Sequence, residues 1–533
     1  MSDQFSEICV SFEDSCESDH AGLSLAWCPA TALPPLSCKT LPGFAIDDNL
    51  KDSWIRSFAA IPSPVITTTS SLQIASDALI ADIKQVSSTL FTPRRPPDPQ
   101  GVRWWNHECS AAYTILQHSP KADKAVARSA YYATVNDAKR AWSDDFLQNT
   151  TAEKVWAATR WHHGRRISTI PPLRTPAGLS HDRQLMGDAL AARFFPISSS
   201  PVAPSQPDDP APHPVRNFDP IIPEEISTAL LSCSNSSAPG LSGINYKLVK
   251  WAFMASPQRF VDIYNYSIRL GLHPWRVAKI VPVLKPNKVD YSLPKSFRPV
   301  SLLECCGKLL EKIIARRVND DINRFQLLSP HQFGSRDSHC AIDTVLATTH
   351  TIESCVKTGH IAALLLLDIQ GFFDHLHVDR TAHIFHLLGF ADSLCDWVRS
   401  FMSDRIAHLT FNGTTSDALP LPLGTPQGSP LSPILSAIYT SPLLHLTETW
   451  NLKSFNMYVD DGSIISTGKT FCTAAAGAAR GYEVVTEWLL CNGLKTDPDK
   501  CEFIFFQPRR SKNLSSSFDC LDLRDPVHGN LHV

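Results

Sequence analysis

The sequence predicts an α+β fold, an antiparallel sheet backed by helices and preceded by a helical N-terminal region. From residue 361 onward an apolar strand, a helix, a hairpin, a second helix and a last strand succeed one another. That alternation is the split βαβ, or ferredoxin-like, plan. A long helix ahead of it is written in "SLLECCGKLLEKIIARRVNDDINR", where Leu309, Leu310, Ile313, Ile314 and Val318 fall at helical spacing. A proline-rich run from Pro196 to Pro223 sets this half apart from what precedes it.

The chain has 533 residues, 43% of them apolar and 19% charged, which suits a globular protein of several domains. A net charge of −3 provides no global basic field, so a nucleic-acid partner would need a local basic groove. Fifteen cysteines are scattered without a C-x-x-C pair, which argues against a zinc ribbon and leaves reduced thiols as the expectation. The opening "MSDQFSEICVSFEDSCESDH" is acidic and polar, unlike a signal peptide, and no apolar run reaches membrane-spanning length.

Taken in order, residues 1–100 carry no strong periodicity and end in "TPRRPPDPQ". Residues 101–195 read as largely helical, beginning with "VRWWNHECSAAYTILQ". Residues 196–223, "PISSSPVAPSQPDDPAPHPVRNFDPIIP", hold too many prolines for regular structure and are expected to form a linker and the main domain boundary. Residues 224–533 form the last domain. "PEEISTALLSC" starts a helix with acids in its first turn, "SAPGLSGINYKLVKWA" is a turn leading into a helix, and "KIVPVLKP" is a short strand. "IAALLLLDI" is a buried strand, and "SPLSPILSAIYTSPLLHL" is helical after its prolines. "NMYVDDGSII" reads as strand, Asp-Asp-Gly turn and strand. "TAAAGAARGYEVVTEWLLCNGL" is a helix closed by Asn492 and Gly493, and "KCEFIFF" is a strand.

Two adjacent carboxylates, Asp460 and Asp461, stand inside an apolar hairpin, and a third, Asp368, ends an apolar strand. Buried like charges repel unless a cation joins them. If the strand lies beside the hairpin, the acids converge into an all-oxygen site suited to Mg²⁺ or Mn²⁺. Two such ions could clamp an in-line phosphoryl displacement. Asp-Asp-Gly is also an ordinary hairpin turn, and Asp368 alone could cap the next element.

Eight blocks in order, over roughly residues 235–506, resemble the reverse transcriptase of non-LTR (LINE-type) retrotransposons. They are "APGLSGI", "KIVPVLKPNK", "SFRPVSLLECCGKLLEKII", "LSPHQFGSRDSHCAIDTV", "LLLLDIQGFFDHL", "GTPQGSPLSPILSAIY", "YVDD" and "GLKTDPDKCEFIFF". The usual second aromatic after Gly334 is Ser335 here. Upstream, "RWWNHECSAAY" and "AEKVWAATRWHHGRRISTIPPL" resemble the segment between endonuclease and polymerase in these elements, and "FAIDDNLKDSWIRSF" resembles the end of such an endonuclease.

The resemblance implies a fingers–palm polymerase fold and an RNA-directed DNA polymerase. Its partners would be an RNA template, a DNA primer and deoxynucleoside triphosphates, with two Mg²⁺ or Mn²⁺ ions as cofactors. Asp368 and Asp460 would hold both ions, Ile369 would lend its backbone carbonyl, and Asp461 would support the site. Phe373 would be the steric gate that excludes a 2′ hydroxyl; otherwise it is a core aromatic, although neighbouring Phe372 suits that place better. Lys285 and Arg298 would bind the triphosphate, unless they are solvated surface charges. Gln427, Gly428 and Pro430 would form the floor under template base and nucleotide, or simply a turn before a helix. Lys500 would donate a proton to pyrophosphate or serve as an ion-pair lysine. Trp104 and Trp105 could stack on bases with Arg165 and Arg166 on phosphate, or pack together.

The tail after "KCEFIFF" shows neither a primer-grip hairpin nor a helical thumb clearly, so a fragment or decayed copy with an intact palm is expected. A catalytically silent nucleic-acid-binding remnant is therefore one rival. An RNA-directed RNA polymerase is another, opposed by Phe373. The expected location is intracellular, and nuclear for target-primed integration.

Overall fold

The structure is a computed structural model that describes residues 7–11, 22–26, 43–93, 104–120, 123–148, 170–176, 178–195, 202–286, 288–448, 452–508 and 522–532. They form two compact units. One holds the described residues of 1–41 and 93–165, the other those of 42–92 and 166–533. In the first, strands Glu7–Ser11 and Gly22–Ala26 pair antiparallel, and helices His107–His118 and Lys124–Gln148 pack through Cys109, Val135 and Ala138.

The second unit is built on two sheets. Their strands are β1 (Val277–Leu284), β2 (Phe297–Leu302), β3 (Ile361–Asp368), β4 (Arg405–Phe411), β5 (Leu419–Leu421), β6 (Ser454–Tyr458), β7 (Asp461–Gly468) and β8 (Glu502–Phe506). The first sheet runs β5-β4-β1-β2, with the two-residue strand Thr414–Thr415 also pairing antiparallel with β4; β1 and β4 are parallel, while β4–β5 and β1–β2 are antiparallel. The second runs β6-β7-β3-β8 and is antiparallel throughout. The unbroken apolar run of β3 is explained by burial on both faces. Ala363, Leu365 and Leu367 enter the main core, whereas Ala362 and Leu364 pack with Ile352, Cys355 and Ile465.

The Phe471–Cys491 helix lies across this sheet. Its small residues permit a close approach: a Cβ at Gly477 would press on Ser466, and one at Gly481 would meet Ile464 and Leu452. Gly493, at φ +74°, ends the helix as the Asn-Gly pair predicts.

Four expectations change. Residues 43–92 are not irregular. Helices Lys51–Ala59 and Thr69–Leu90 bury Trp54, Phe58, Leu72, Leu79 and Ile83 in the main core, a 3–4 periodicity that the intervening Ser and Thr obscure in the sequence. The proline-rich run lies within the second unit rather than at its edge. Its described residues 202–222 lack helix and strand, as the prolines require, yet His213 N–H donates to the Leu387 carbonyl (2.7 Å) and Arg216 N–H to that of Gly389 (2.9 Å). Asp209 accepts two hydrogen bonds from the wholly buried Arg380, 2.6 and 2.7 Å long. The segment is a strap fastened across the unit. Residues 372–374 form a 3₁₀ turn rather than continuing the strand, because Gly371 at φ +59° turns the chain. Finally, the tail holds a hairpin, Asp522–Asp525 with Gly529–His532. The Asp525 carboxylate accepts from Tyr482 Oη (2.8 Å), Thr496 Oγ1 (2.9 Å) and the amides of Val527 and His528.

Candidate active site

Three carboxylates meet at one end of the second sheet. Asp461 opens β7 and stands opposite Asp368, the last residue of β3. Asp460 and Val459 form the two-residue hairpin turn, so the expected Asp-Asp-Gly turn is displaced toward the N-terminus by one residue, with Asp461 and Gly462 inside the strand. Val459 takes φ +61°, a left-handed conformation that costs a β-branched residue roughly 1–2 kcal/mol. The segment beneath holds it there. Phe333 N–H donates to the Met457 carbonyl (2.9 Å), Met457 N–H donates to that of His331 (2.9 Å), and a Cβ at Gly334 would collide with the Val459 amide. Ile369 N–H donates to the Asp460 carbonyl (3.2 Å), tying the turn to the end of β3.

Burial first, then Asp461 and Asp368, push the Asp460 carboxyl up to about 6. Burial and Asp368 also raise Asp461. Lys500 answers this negative charge. Its Nζ donates to Asp368 Oδ2 at 2.7 Å and lies 3.6 Å from Asp497 Oδ2. Burial opposes the Lys500 charge, but those carboxylates outweigh it and raise its pKa.

These acids form one wall of a cleft of about 790 Å³, ample for a nucleoside triphosphate. Lys285, Lys288, Lys295 and Arg298 line the other wall, at the ends of β1 and β2. Lys285 is held below the usual lysine range by burial and by the positive charges of Arg193, Arg298, Lys288 and Lys500. Phe373 lines the cleft half-exposed, while Phe372 is core at 2% exposure. Gln427 closes the floor. Its Nε2 donates to Asp374 Oδ1 (2.9 Å), and its carbonyl accepts from Ser301 N–H (2.8 Å). Asp374 is pushed up to about 6 by burial, with the Gln427 bond opposing the shift. Cations and half-buried to exposed acids lining one cleft can orient a polyphosphate with its reacting end toward the carboxylates.

Residues 283–520 match the family described as reverse transcriptase (RNA-dependent DNA polymerase). The chain is 28% identical over 288 residues to a probable RNA-directed DNA polymerase from transposon BS of Drosophila melanogaster, covering 53% of this chain and 32% of that protein. It is 23% identical over 390 residues to the RNA-directed DNA polymerase from mobile element jockey of the same species, covering 70% and 42%. A putative 115 kDa protein in the type-1 retrotransposable element R1DM of that species is 28% identical over 368 residues, covering 68% and 34%. Residues 283–520 thus match a reverse transcriptase domain, and the relatives that resemble the chain are proteins of transposable elements. The chain spans about a third to two fifths of the length of these relatives.

Within this mixed α/β reverse transcriptase domain, the cleft gathers Asp368, Ile369, Asp460, Asp461, Lys500, Lys285, Arg298, Phe373 and Gln427. Gly428 does not line it. At φ +147° it packs where a Cβ would strike the Ser301 carbonyl, so it shapes the loop rather than the cleft surface. Pro430 is half-buried just beyond. Cleft residues that escaped the sequence reading include Asp374, Asp497, Lys288, Lys295 and Arg193. "GFFDHL" and "TDPDK" held the signal for the first two, an acid within three positions of an assigned residue; Arg193 had none, lying outside every block.

Trp104 and Trp105 belong to the first unit. Their rings are 5.8 Å apart, both pack on its small core, and Lys139 Nζ lies 4.8 Å over Trp104. Arg165 and Arg166 lie outside the described residues. Among the described residues no helix is long and apolar enough to cross a membrane.

Proposed function

We propose that the cleft adds deoxynucleotides to a primer 3′ hydroxyl on an RNA template. The observation that carries this reading is the convergence of Asp368, Asp460 and Asp461 in one cleft that Lys285, Arg298 and Phe373 also line. The strand order β6-β7-β3-β8, with β3 first in sequence and β8 last, supports a ferredoxin-like palm, and the sheet carrying Lys285 and Arg298 corresponds to fingers.

The donor set suits a hard divalent cation, since it is all oxygen and two of its carboxylates carry raised pKa values that a cation would reverse. Among the described residues no three His, Cys, Asp or Glu side chains stand gathered as a ready cage. Asp368 instead directs Oδ2 at the Lys500 ammonium, which holds the cation's place. Asp368, Asp460 and Asp461, with the Ile369 carbonyl, would hold two Mg²⁺ or Mn²⁺ ions. Bound there, such ions supply a lowered pKa for the attacking hydroxyl and charge neutralisation on the leaving oxygens.

The chain's own residues do the rest. Lys285 and Arg298 bind the triphosphate oxygens and fix its direction. Phe373 presses on the sugar at C2′. Gln427, braced by Asp374, holds the floor beneath the base. Lys500 keeps a proton at Nζ beside the reacting phosphates, in place to protonate pyrophosphate.

Primer extension tests the reading. An RNA template, a DNA primer and four deoxynucleotides are supplied with Mg²⁺ or Mn²⁺ to this chain and to its Asp460→Ala, Asp461→Ala double variant. Extension by the parent alone is expected. Extension by both would overturn the site, and tight template–primer binding without extension by either would make the chain a silent binding remnant.

A further inference from the structure

The nucleotide cleft has a wall contributed from upstream of the strap. The Arg183–Phe194 helix sets Met186, Leu190 and Phe194, one face at a spacing of four, into a core with Ala278, Ile280, Phe297, Ala407 and Leu409. It therefore backs the very sheet that carries Lys285 and Arg298. The hairpin just before it is fastened to the same sheet's rim. Arg174 N–H donates to the Ser292 carbonyl (2.8 Å), its Nε donates to Ser292 Oγ (3.1 Å), and Ile170 N–H donates to Asn412 Oδ1 (2.7 Å).

Phe194 is held in that core and borders the cleft, and the residue before it lines the cleft too. Arg193 lines the cleft with Lys285 and Arg298, and its charge acts on both Lys285 and Asp374. Among the described residues its side chain has no hydrogen bond or ion pair. A guanidinium that shares the cleft with Lys285 and Arg298 and is in no ion pair with Asp374 is left to interact with an anion that enters the cleft.

We propose that Arg193 is a third triphosphate-binding cation of this site, so that residues 170–195 are part of the polymerase and not a tether to it. The ligand class is the polyphosphate of an incoming nucleoside triphosphate. The planar fork of arginine suits bidentate capture of phosphate oxygens. This inference rests on the polymerase reading above. A blander role exists, because a cation in a helix's last turn also answers the helix dipole, but that role would not alter nucleotide affinity.

The test uses the full chain and two readouts. Direct binding of dTTP with Mg²⁺ is measured by calorimetry, and the KM for dTTP is measured in single-nucleotide extension on an RNA template with a DNA primer. Arg193→Ala is expected to weaken dTTP binding and raise its KM about tenfold or more, leave kcat and template–primer affinity little changed, and be partly rescued by Arg193→Lys. Arg193→Ala should melt no lower than the parent. Unchanged dTTP binding and KM in Arg193→Ala, with an active parent, would overturn the inference and leave the polymerase reading intact. Loss of template–primer affinity at unchanged KM would assign Arg193 to the template strand and also overturn it. A parent that neither binds dTTP nor extends primer would remove the polymerase reading and this inference with it.

Discussion

Asp209 holds the strap to the body of the second unit, and removing its carboxylate should be among the costliest loop changes in that unit. Arg380 has no exposed side-chain area, and the Asp209 side chain has 8%. The guanidinium makes four hydrogen bonds: Nε to Asn492 Oδ1 (2.8 Å), Nη1 to the Pro204 carbonyl (2.9 Å), and Nη1 and Nη2 to the two Asp209 oxygens. Asp209→Ala deletes both charge-assisted bonds and strands a buried cation. Hydrogen bonds to charged groups are worth about 1.5–3 kcal/mol each, and breaking a buried pair costs about 3–5 kcal/mol. The expected loss is therefore about 3–5 kcal/mol, read as a lower urea midpoint with earlier proteolysis near residues 202–216. A second variant separates lost attraction from stranded charge. Arg380→Met with Asp209→Ala removes the cation too and should recover most of the loss. Burial opposes the Asp209 charge, but Arg380 and the Gln206 amide outweigh it and depress its pKa. Its stabilisation is thus complete above the unfolded carboxylate value and fades as pH falls through the lower folded one. A loss below about 1 kcal/mol, or a double variant no better than Asp209→Ala, would refute the reasoning.

Phe373→Val should admit ribonucleotides by opening space at the sugar's 2′ position, and unchanged sugar selectivity in single-nucleotide extension would remove the gate assignment. Asp460, with a folded pKa of about 6, binds protons that the unfolded chain has released, so it lowers stability as pH rises from about 4 to 6. Added Mg²⁺ or Mn²⁺ should accordingly raise the melting temperature more at pH 8 than at pH 5, with no gain in an Asp460→Asn, Asp461→Asn variant. Gly428→Ala should cost more than about 1 kcal/mol and reduce extension, because its positive φ and the Ser301 carbonyl both refuse a Cβ; a neutral melting curve would count against that loop geometry.

The parts of the fold that local chemistry dictates were legible. The eight-residue apolar run ending at Asp368 is a strand buried on both faces, and the Asn492–Gly493 pair ends its helix. The hairpin was legible but its turn was not. Asp-Asp-Gly is the better local turn, and Val459 is forced into a left-handed conformation by the 331–334 segment, 125 or more residues away in sequence. The prolines of residues 196–223 correctly excluded helix and strand from the described part. They said nothing of order, which comes from Asp209 meeting a buried Arg380 and from backbone bonds to Leu387 and Gly389. Among the cleft residues, acids and cations inside recurring blocks could be named. Arg193 reaches the cleft only because three apolar residues of its own helix are buried against strands more than 80 residues later.

That last arrangement has a consequence for biosynthesis. The face made by Met186, Leu190 and Phe194 finds its partners in strands that end at Phe411, and Trp54 finds Trp251. At ordinary elongation rates of about 5–20 residues per second, the Arg183–Phe194 helix leaves the ribosome roughly 10–40 seconds before β4 is made. During that interval its apolar stripe is in water, tethered to a growing chain, and open to chaperones or to the same stripe on a neighbouring nascent chain. Folding of the second unit therefore includes a long loop closure between this helix and strands that end at Phe411. Expression of this protein is expected to depend on how well the cell shelters a segment that is made early and buried only after β4 has emerged.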